Sequence, residues 1–175
     1  MKLIVVSDSH GRSDRLAAVM DMHRDADALI FLGDGLRDLD RADAYSYGFT
    51  VYSVVGNCDG FSYLRPANQS PEEITLSFEG FRIYMLHGHT RAVKNGIDRA
   101  VAAANSKGAD ILLYGHTHVG AEKYCPEGSE FPFGKLERPL WIFNPGSLGA
   151  SADGKGHFGL IQIRNGSVLT SHGTV

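Results

Sequence analysis

A chain of 175 residues, 43% hydrophobic and 21% charged, has the make-up of a soluble globular domain large enough to bury a sizeable core. Its formal charge of −3 argues against nucleic acid as a partner, because a nucleic-acid binder presents a basic face. No apolar run approaches the roughly 18 residues of a membrane span, and the N-terminal segment turns polar too soon for a signal peptide, so a cytoplasmic protein without membrane contact is expected.

Lys2 to Val6 is an apolar, β-branched run that predicts a buried strand. Ser13 is a candidate N-cap, with Asp14 in the first turn and Leu16, Val19, Met20 and His23 at helical spacing. Ala28 to Leu32 predicts a second buried strand, Leu36 to Tyr47 a polar helix, and Thr50 to Val55 a third strand. Phe61 to Pro71, with two prolines, reads as a loop. Ile74 to Phe78 alternates with period two and turns at Glu79-Gly80 into Phe81 to Leu86, a predicted hairpin. Asp98 to Lys107 is the clearest helix, closed by Gly108. Ile111 to Tyr114 and Val119 to Tyr124 predict neighbouring strands, and Cys125 to Pro139 a long loop or arm bearing Phe131 and Phe133. Leu140 to Phe143, Gly159 to Arg164 and Ser167 to Ser171 are late strands, the last two joined by the hairpin signal Asn165-Gly166. There is no internal repeat, low-complexity tract or linker, so residues 1–175 are read as one α/β domain of two packed sheets with helices outside.

Five predicted strands end in polar clusters: Asp8-Ser9-His10, Gly33-Asp34, Gly56-Asn57-Cys58-Asp59, His87-Gly88-His89 and Gly115-His116-Thr117-His118. The carboxyl ends of strands in an α/β sheet share one rim, where ligands bind. In extended chain, residues i and i+2 point the same way, so Asp8 with His10, and His116 with His118, are each expected to aim two donors at one place. Imidazole with carboxylate suits Mn, Fe, Zn or Ni. Asp8, His10, Asp34, Asn57, His87, His116 and His118 exceed the needs of one metal, and a shared carboxylate would hold two. Glycine beside each cluster is expected to let the backbone turn and to leave room for substrate.

These motifs, in this order, resemble the calcineurin-like metallophosphoesterases, in particular their small cap-less bacterial and archaeal phosphodiesterases. The likeness covers nearly the whole chain and extends to Asn144-Pro145-Gly146-Ser147. It implies a four-layer αββα sandwich. One metal would be held by Asp8, His10, Asp34 and His118, the other by Asp34, Asn57, His87 and His116, with Asp34 bridging. The implied cofactors are two divalent transition-metal ions, Mn first, with Ni, Fe or Zn as alternatives.

Such a centre would attract a small phosphate ester and lower the pKa of a bridging water towards neutrality. The resulting hydroxide would attack phosphorus in line with the leaving oxygen, without a phosphoenzyme. Cys58 stands where the family commonly has a histidine that assists the leaving oxygen. Its thiol is a weak donor, which predicts a preference for aryl over alkyl esters. His89 is a second candidate for proton donation or phosphate contact. Asp59 and Asp38 are read as turn groups or supports of neighbouring ligands, Cys125 as structural, and His157 and His172 as solvated or loop residues. With two cysteines, no Cys-x-x-Cys pair and no export signal, no disulfide is expected. The competing reading is a non-catalytic interaction scaffold on the same fold, as in a retromer subunit. There the apolar stretch Phe131 to Trp141 would be a contact surface or the arm of a homo-oligomer. The intact Asp8-x-His10 pair favours catalysis.

Overall fold

The computed structural model describes residues 1–60 and 70–175, so most of the loop expected over 61–71 lies outside the described residues. One sheet has β1 (Lys2–Val6), β2 (Ala28–Phe31) and β3 (Thr50–Ser53) in parallel, with β11 (His157–Arg164) and β12 (Ser167–Thr174) added antiparallel on the β1 side. The other follows the order β4 (Glu73–Phe78), β5 (Phe81–Leu86), β6 (Ile111–Tyr114), β10 (Leu140–Asn144), β7 (Ala121–Cys125). Within it β5, β6 and β10 are parallel, while β4 and β7 run the other way.

The central strands read as continuous apolar runs because both of their faces are buried. Along β1, Leu3 and Val5 point between the sheets, towards Ile83, Met85, Ile111 and Leu113. Ile4 and Val6 point outward, against Leu16, Val19 and Met20 of α1 (Ser13–Met22) and Leu39 of α2 (Leu36–Arg41). On the far side, Tyr84, Leu86 and Leu112 meet Ala100, Val101 and Ala104 of α3 (Asp98–Ser106). Three apolar layers thus separate four structural ones, the αββα arrangement expected. Each fully buried Leu, Ile or Phe contributes roughly 1.5–3 kcal/mol.

Several local expectations need correction. Ser13 is the first helical residue, not the cap. Arg12 takes the cap position, and backbone turns, with Arg12 N donating to Ser9 O and Leu16 N to Arg12 O, engage amides there without a side-chain cap. The helix expected over Leu36 to Tyr47 stops at Arg41, because Asp43 adopts φ 51°, and a short 3-10 turn follows at Ala44–Ser46. The arm between Cys125 and Pro139 holds a small hairpin, β8 (Glu130–Phe131) with β9 (Gly134–Lys135). Phe131 stacks on Phe133 across it, with centroids 5.4 Å apart. His157 and His172 lie in strands, not loops: His157 bonds Asp153, and His172 stacks on Phe143 while its Nε2 reaches the Asn144 carbonyl at 2.7 Å. Cys125 is buried against α3, as a structural thiol would be. No helix among the described residues is long and apolar enough to cross a membrane.

Candidate metal centre

The parallel strands β1, β2, β3, β5, β6 and β10 end at one rim, and the polar clusters follow those ends. Asp8, His10 and His118 place donor atoms within 4.8 Å of one another, and so do Asp34, His87 and His116. Asp34 also lies within that range of His10 and Cys58, so its carboxylate stands between the two groups. All seven residues singled out as metal donors meet here: Asn57 Oδ1 lies 3.2 Å from His87 Nε2.

The route by which they meet differs from the expectation. Asp8, His10, His116 and His118 are not in extended chain. Their φ values are 54°, 44°, 67° and 62°, and Asp34 has 59°. Left-handed backbone at non-glycine residues is uncommon and stands at functional sites when surrounding structure enforces it. Here the enforcement is visible. Asp8 N donates to Gly33 O at 2.9 Å, His10 N to Asp34 O at 3.2 Å, and Gly115 N to His87 O at 3.0 Å, so each turn is pinned to the next.

The glycines turn the backbone as expected, with φ 95° at Gly33 and 113° at Gly88, but the room beside three of them is taken. A Cβ on Gly56 would overlap the backbone nitrogen and carboxylate of Asp34, one on Gly33 would come within 2.6 Å of Gly56 N, and one on Gly115 would overlap Ser7 Oγ. The space beside them is filled by neighbouring turns, not reserved for substrate.

The donor atoms converge to 3.2–3.4 Å of one another. His87 is fully buried, and its Nδ1 donates to Leu32 O at 2.7 Å, which leaves Nε2 as an acceptor. Around that Nε2 stand three further acceptors: Asn57 Oδ1, His116 Nδ1 at 3.2 Å and Asp34 Oδ2 at 3.4 Å. His10 and His118 likewise bring their Nε2 atoms to 3.3 Å. Asp8 Oδ2 accepts from Ser7 Oγ at 2.5 Å and from His116 N at 3.0 Å, but Oδ1 is buried with no hydrogen-bond donor among the described residues. It lies 3.2 Å from His118 Nε2 and 3.7 Å from His10 Nε2. Two donors each about 2.1 Å from one cation at a tetrahedral angle stand about 3.4 Å apart, so these separations suit metal coordination. A buried carboxylate oxygen without a donor is costly unless a cation satisfies it.

The electrostatics agree. Burial pushes the Asp34 carboxyl up, but the nearby His87 imidazole and the hydrogen bond from the Cys58 amide outweigh it and hold Asp34 well below the usual carboxylate range. Burial opposes a charge on His87, yet Asp34 and Asp8 raise its pKa overall. His116 falls to about 4 through burial, then repulsion from His87 and Lys94. The Cys58 thiol rises to about 11 through burial and its interaction with Asp34. His89 is lowered by burial, then by His87; its Nδ1 is buried without a partner, and its ring centroid stands 5.4 Å from that of His87.

The supports are as informative as the donors. Asp59 spends both oxygens on four backbone amides: Oδ2 on Asp34 N at 2.8 Å and Gly56 N at 2.9 Å, Oδ1 on Gly35 N at 2.8 Å and Leu36 N at 2.9 Å. Asp38 Oδ2 accepts from Ser9 Oγ at 2.6 Å and Gly11 N at 2.8 Å, which braces the turn carrying His10. Asn144, at the end of β10, donates to Gly115 O and Thr117 Oγ1 at 3.1 Å, and Ser147 donates to Asp8 O at 2.9 Å. Ser7 was missed by sequence reasoning, since a serine closing an apolar strand carries no signal of its own.

The domain of the calcineurin-like phosphoesterase superfamily matches residues 1–166. The chain belongs to that superfamily. Among its relatives, the probable metallophosphoesterase YsnB of Bacillus subtilis is 29% identical over 150 residues, covering 85% of this chain and 75% of that protein. The phosphodiesterase YfcE of Escherichia coli is 27% identical over 172 residues, covering 85% and 79%. A predicted phosphoesterase from Streptococcus pneumoniae superposes with a TM-score of 0.74 at 24% identity, covering 99% of this chain and 88% of its own. Vacuolar Protein Sorting 29 from Cryptosporidium parvum superposes with a TM-score of 0.69 at 15% identity, covering 99% and 97%. At those identities the two structures show a shared fold only. The superfamily places this phosphoesterase chain among hydrolases, and the donor cluster supports divalent metal binding.

Proposed function

We propose that the chain, acting as one domain, is a dinuclear metal-dependent phosphodiesterase. Asp8, His10, Asp34 and His118 would hold one cation, and Asp34, Asn57, His87 and His116 the other. The observation that carries this reading is the buried Oδ1 of Asp8, which has no hydrogen-bond partner among the described residues and faces the Nε2 atoms of His118 and His10, a site that suits positive charge. When bound, the cations supply charge neutralisation for the phosphoryl oxygens and a lowered pKa for water. The chain's own residues fix the geometry. His87 is held in one tautomer by Leu32 O, Asp34 is locked by Asp59, and Cys58 lies next to Asp34 on the exposed side. Phosphodiesters are the preferred substrate class because YfcE carries that activity in its name. The complete donor set favours this reading over a scaffold on the same fold.

Two measurements test it. Bis(p-nitrophenyl) phosphate is expected to be hydrolysed with added Mn2+ and not after chelation, with metal analysis giving about two ions per chain. A reconstituted protein that takes up no transition metal, or takes it up and hydrolyses no phosphate ester, ends the proposal. The second concerns Cys58. Burial and the neighbouring Asp34 carboxylate push its pKa up, which favours the thiol, a weak donor. Cys58→His is expected to raise the alkyl-to-aryl ester rate ratio by about tenfold or more. An unchanged ratio removes Cys58 from leaving-group assistance and leaves His89 as the donor to examine.

A further inference from the structure

Beside the donor cluster lies a cavity of about 360 Å³, lined by His10, Asp34, Arg37, Asp38, Arg41 and Cys58. That is the low end of small-ligand sites, room for a tail of a few carbons rather than a polymer. We propose that this cavity binds a second oxyanion on the substrate through Arg37 and Arg41. The substrate class would then be small phosphate esters whose non-reacting part ends in a carboxylate or a phosphate. The inference rests on the phosphoesterase reading and narrows it.

The lining also contains carboxylates, which at first sight would favour a cation. Their exposure decides otherwise. Asp34 is 2% exposed, Asp38 1% and Asp59 9%, whereas the Arg41 side chain is 59% exposed. The oxygens of Asp59 are occupied by four amides and Oδ2 of Asp38 by Ser9 and Gly11, so their lone pairs are already engaged by the protein. A ligand in the cavity meets guanidinium groups. Arg41 is tethered to Asp38 by one contact at 3.3 Å, which orients the group while leaving most of its five N–H donors towards solvent. Planar guanidinium forks suit bidentate pairing with carboxylate and phosphate.

Placement reinforces the point. Arg37 and Arg41 are four residues apart on α2, hence on one face of that helix. The helix begins two residues after Asp34, and the Asp59 carboxylate that fixes Asp34 N also fixes Gly35 N and Leu36 N. Both arginines are therefore carried on an element registered directly to the donor cluster. An ester seated at the cluster with its tail in this cavity would be held at both ends.

Phosphonates, whose C–P bond is not hydrolysed, separate binding from turnover. Calorimetric titration of the Mn-loaded protein would compare propylphosphonate with 3-phosphonopropionate, 1,3-propanediphosphonate and 3-aminopropylphosphonate. The two anionic tails are expected to bind about tenfold tighter than propylphosphonate, the aminated one more weakly. The preferred anionic tail tells carboxylate from phosphate. In the double variant Arg37→Gln/Arg41→Gln the tenfold ratio is expected to fall towards one, and if that variant misfolds, each single variant should lower it about threefold. Equal binding of neutral and anionic tails, tighter binding of the amine, or a ratio that survives the substitutions overturns this inference while sparing the phosphoesterase reading. Failure of every phosphonate to bind the metal-loaded protein overturns both.

Discussion

Asp34→Asn is expected to empty the centre of metal and lower phosphodiester turnover at least about 10²-fold at fixed Mn2+. The carboxylate is 2% exposed and lies within 4.8 Å of His10 from one donor group and of His87 and His116 from the other. Its Oδ1 accepts from Cys58 N at 2.7 Å, and its Oδ2 faces His87 Nε2 at 3.4 Å. An amide of the same shape has no good orientation. With NH2 towards Cys58 it sets donor against donor; with NH2 towards His87 it occupies the lone pair a cation would need. It also removes one of the two negative charges in the cluster. Metal analysis distinguishes this from loss of a peripheral donor: His118→Gln is expected to lose about one ion per chain, Asp34→Asn both. An Asp34→Asn protein that retains two ions and near-normal turnover would show that the carboxylate is not shared.

The convergence of the centre was legible because its donors sit at the ends of parallel strands, whose apolar runs are easy to locate. Order along the chain then implied proximity in space, since parallel strands bring their carboxyl ends to one rim. The backbone conformation was not legible. Asp8-x-His10 and His116-x-His118 look like extended pairs, and only the pinning bonds to the Gly33 and Asp34 carbonyls explain why φ is positive at Asp8 and His10. Long-range partners of this kind leave no periodic trace. The same holds for the bonds from Asn144 to Gly115 and Thr117, which join residues up to 29 apart. Helix starts misled for a related reason: Ser13 has a capping side chain, but the turn at Ser9 to Arg12 had already taken up the local amides. The glycines were read as substrate space because sequence cannot say which neighbour fills the room a missing Cβ leaves; at Gly56 it is Asp34.

Asp59→Asn should be nearly as damaging as the change at Asp34, although Asp59 is not one of the donor groups. Each oxygen of Asp59 accepts two backbone N–H groups, so an amide nitrogen at either position meets two donors head-on. Two buried amides lose their acceptor, at roughly 1–3 kcal/mol each, and the charge assistance on the other pair is lost as well. A stability loss of about 3–5 kcal/mol is expected, read as a lower urea midpoint at unchanged slope. The functional loss would follow from displacement of Asp34, whose amide Asp59 holds. That origin has its own signature. A misplaced donor weakens metal binding without removing a donor, so excess Mn2+ should restore much of the Asp59→Asn turnover by mass action and raise its melting temperature. The same excess should do little for Asp34→Asn, where the shared donor itself is gone. An Asp59→Asn protein with wild-type stability and metal content would mean that the four amides find other partners, and that the turn carrying Asp34 stands without this clamp.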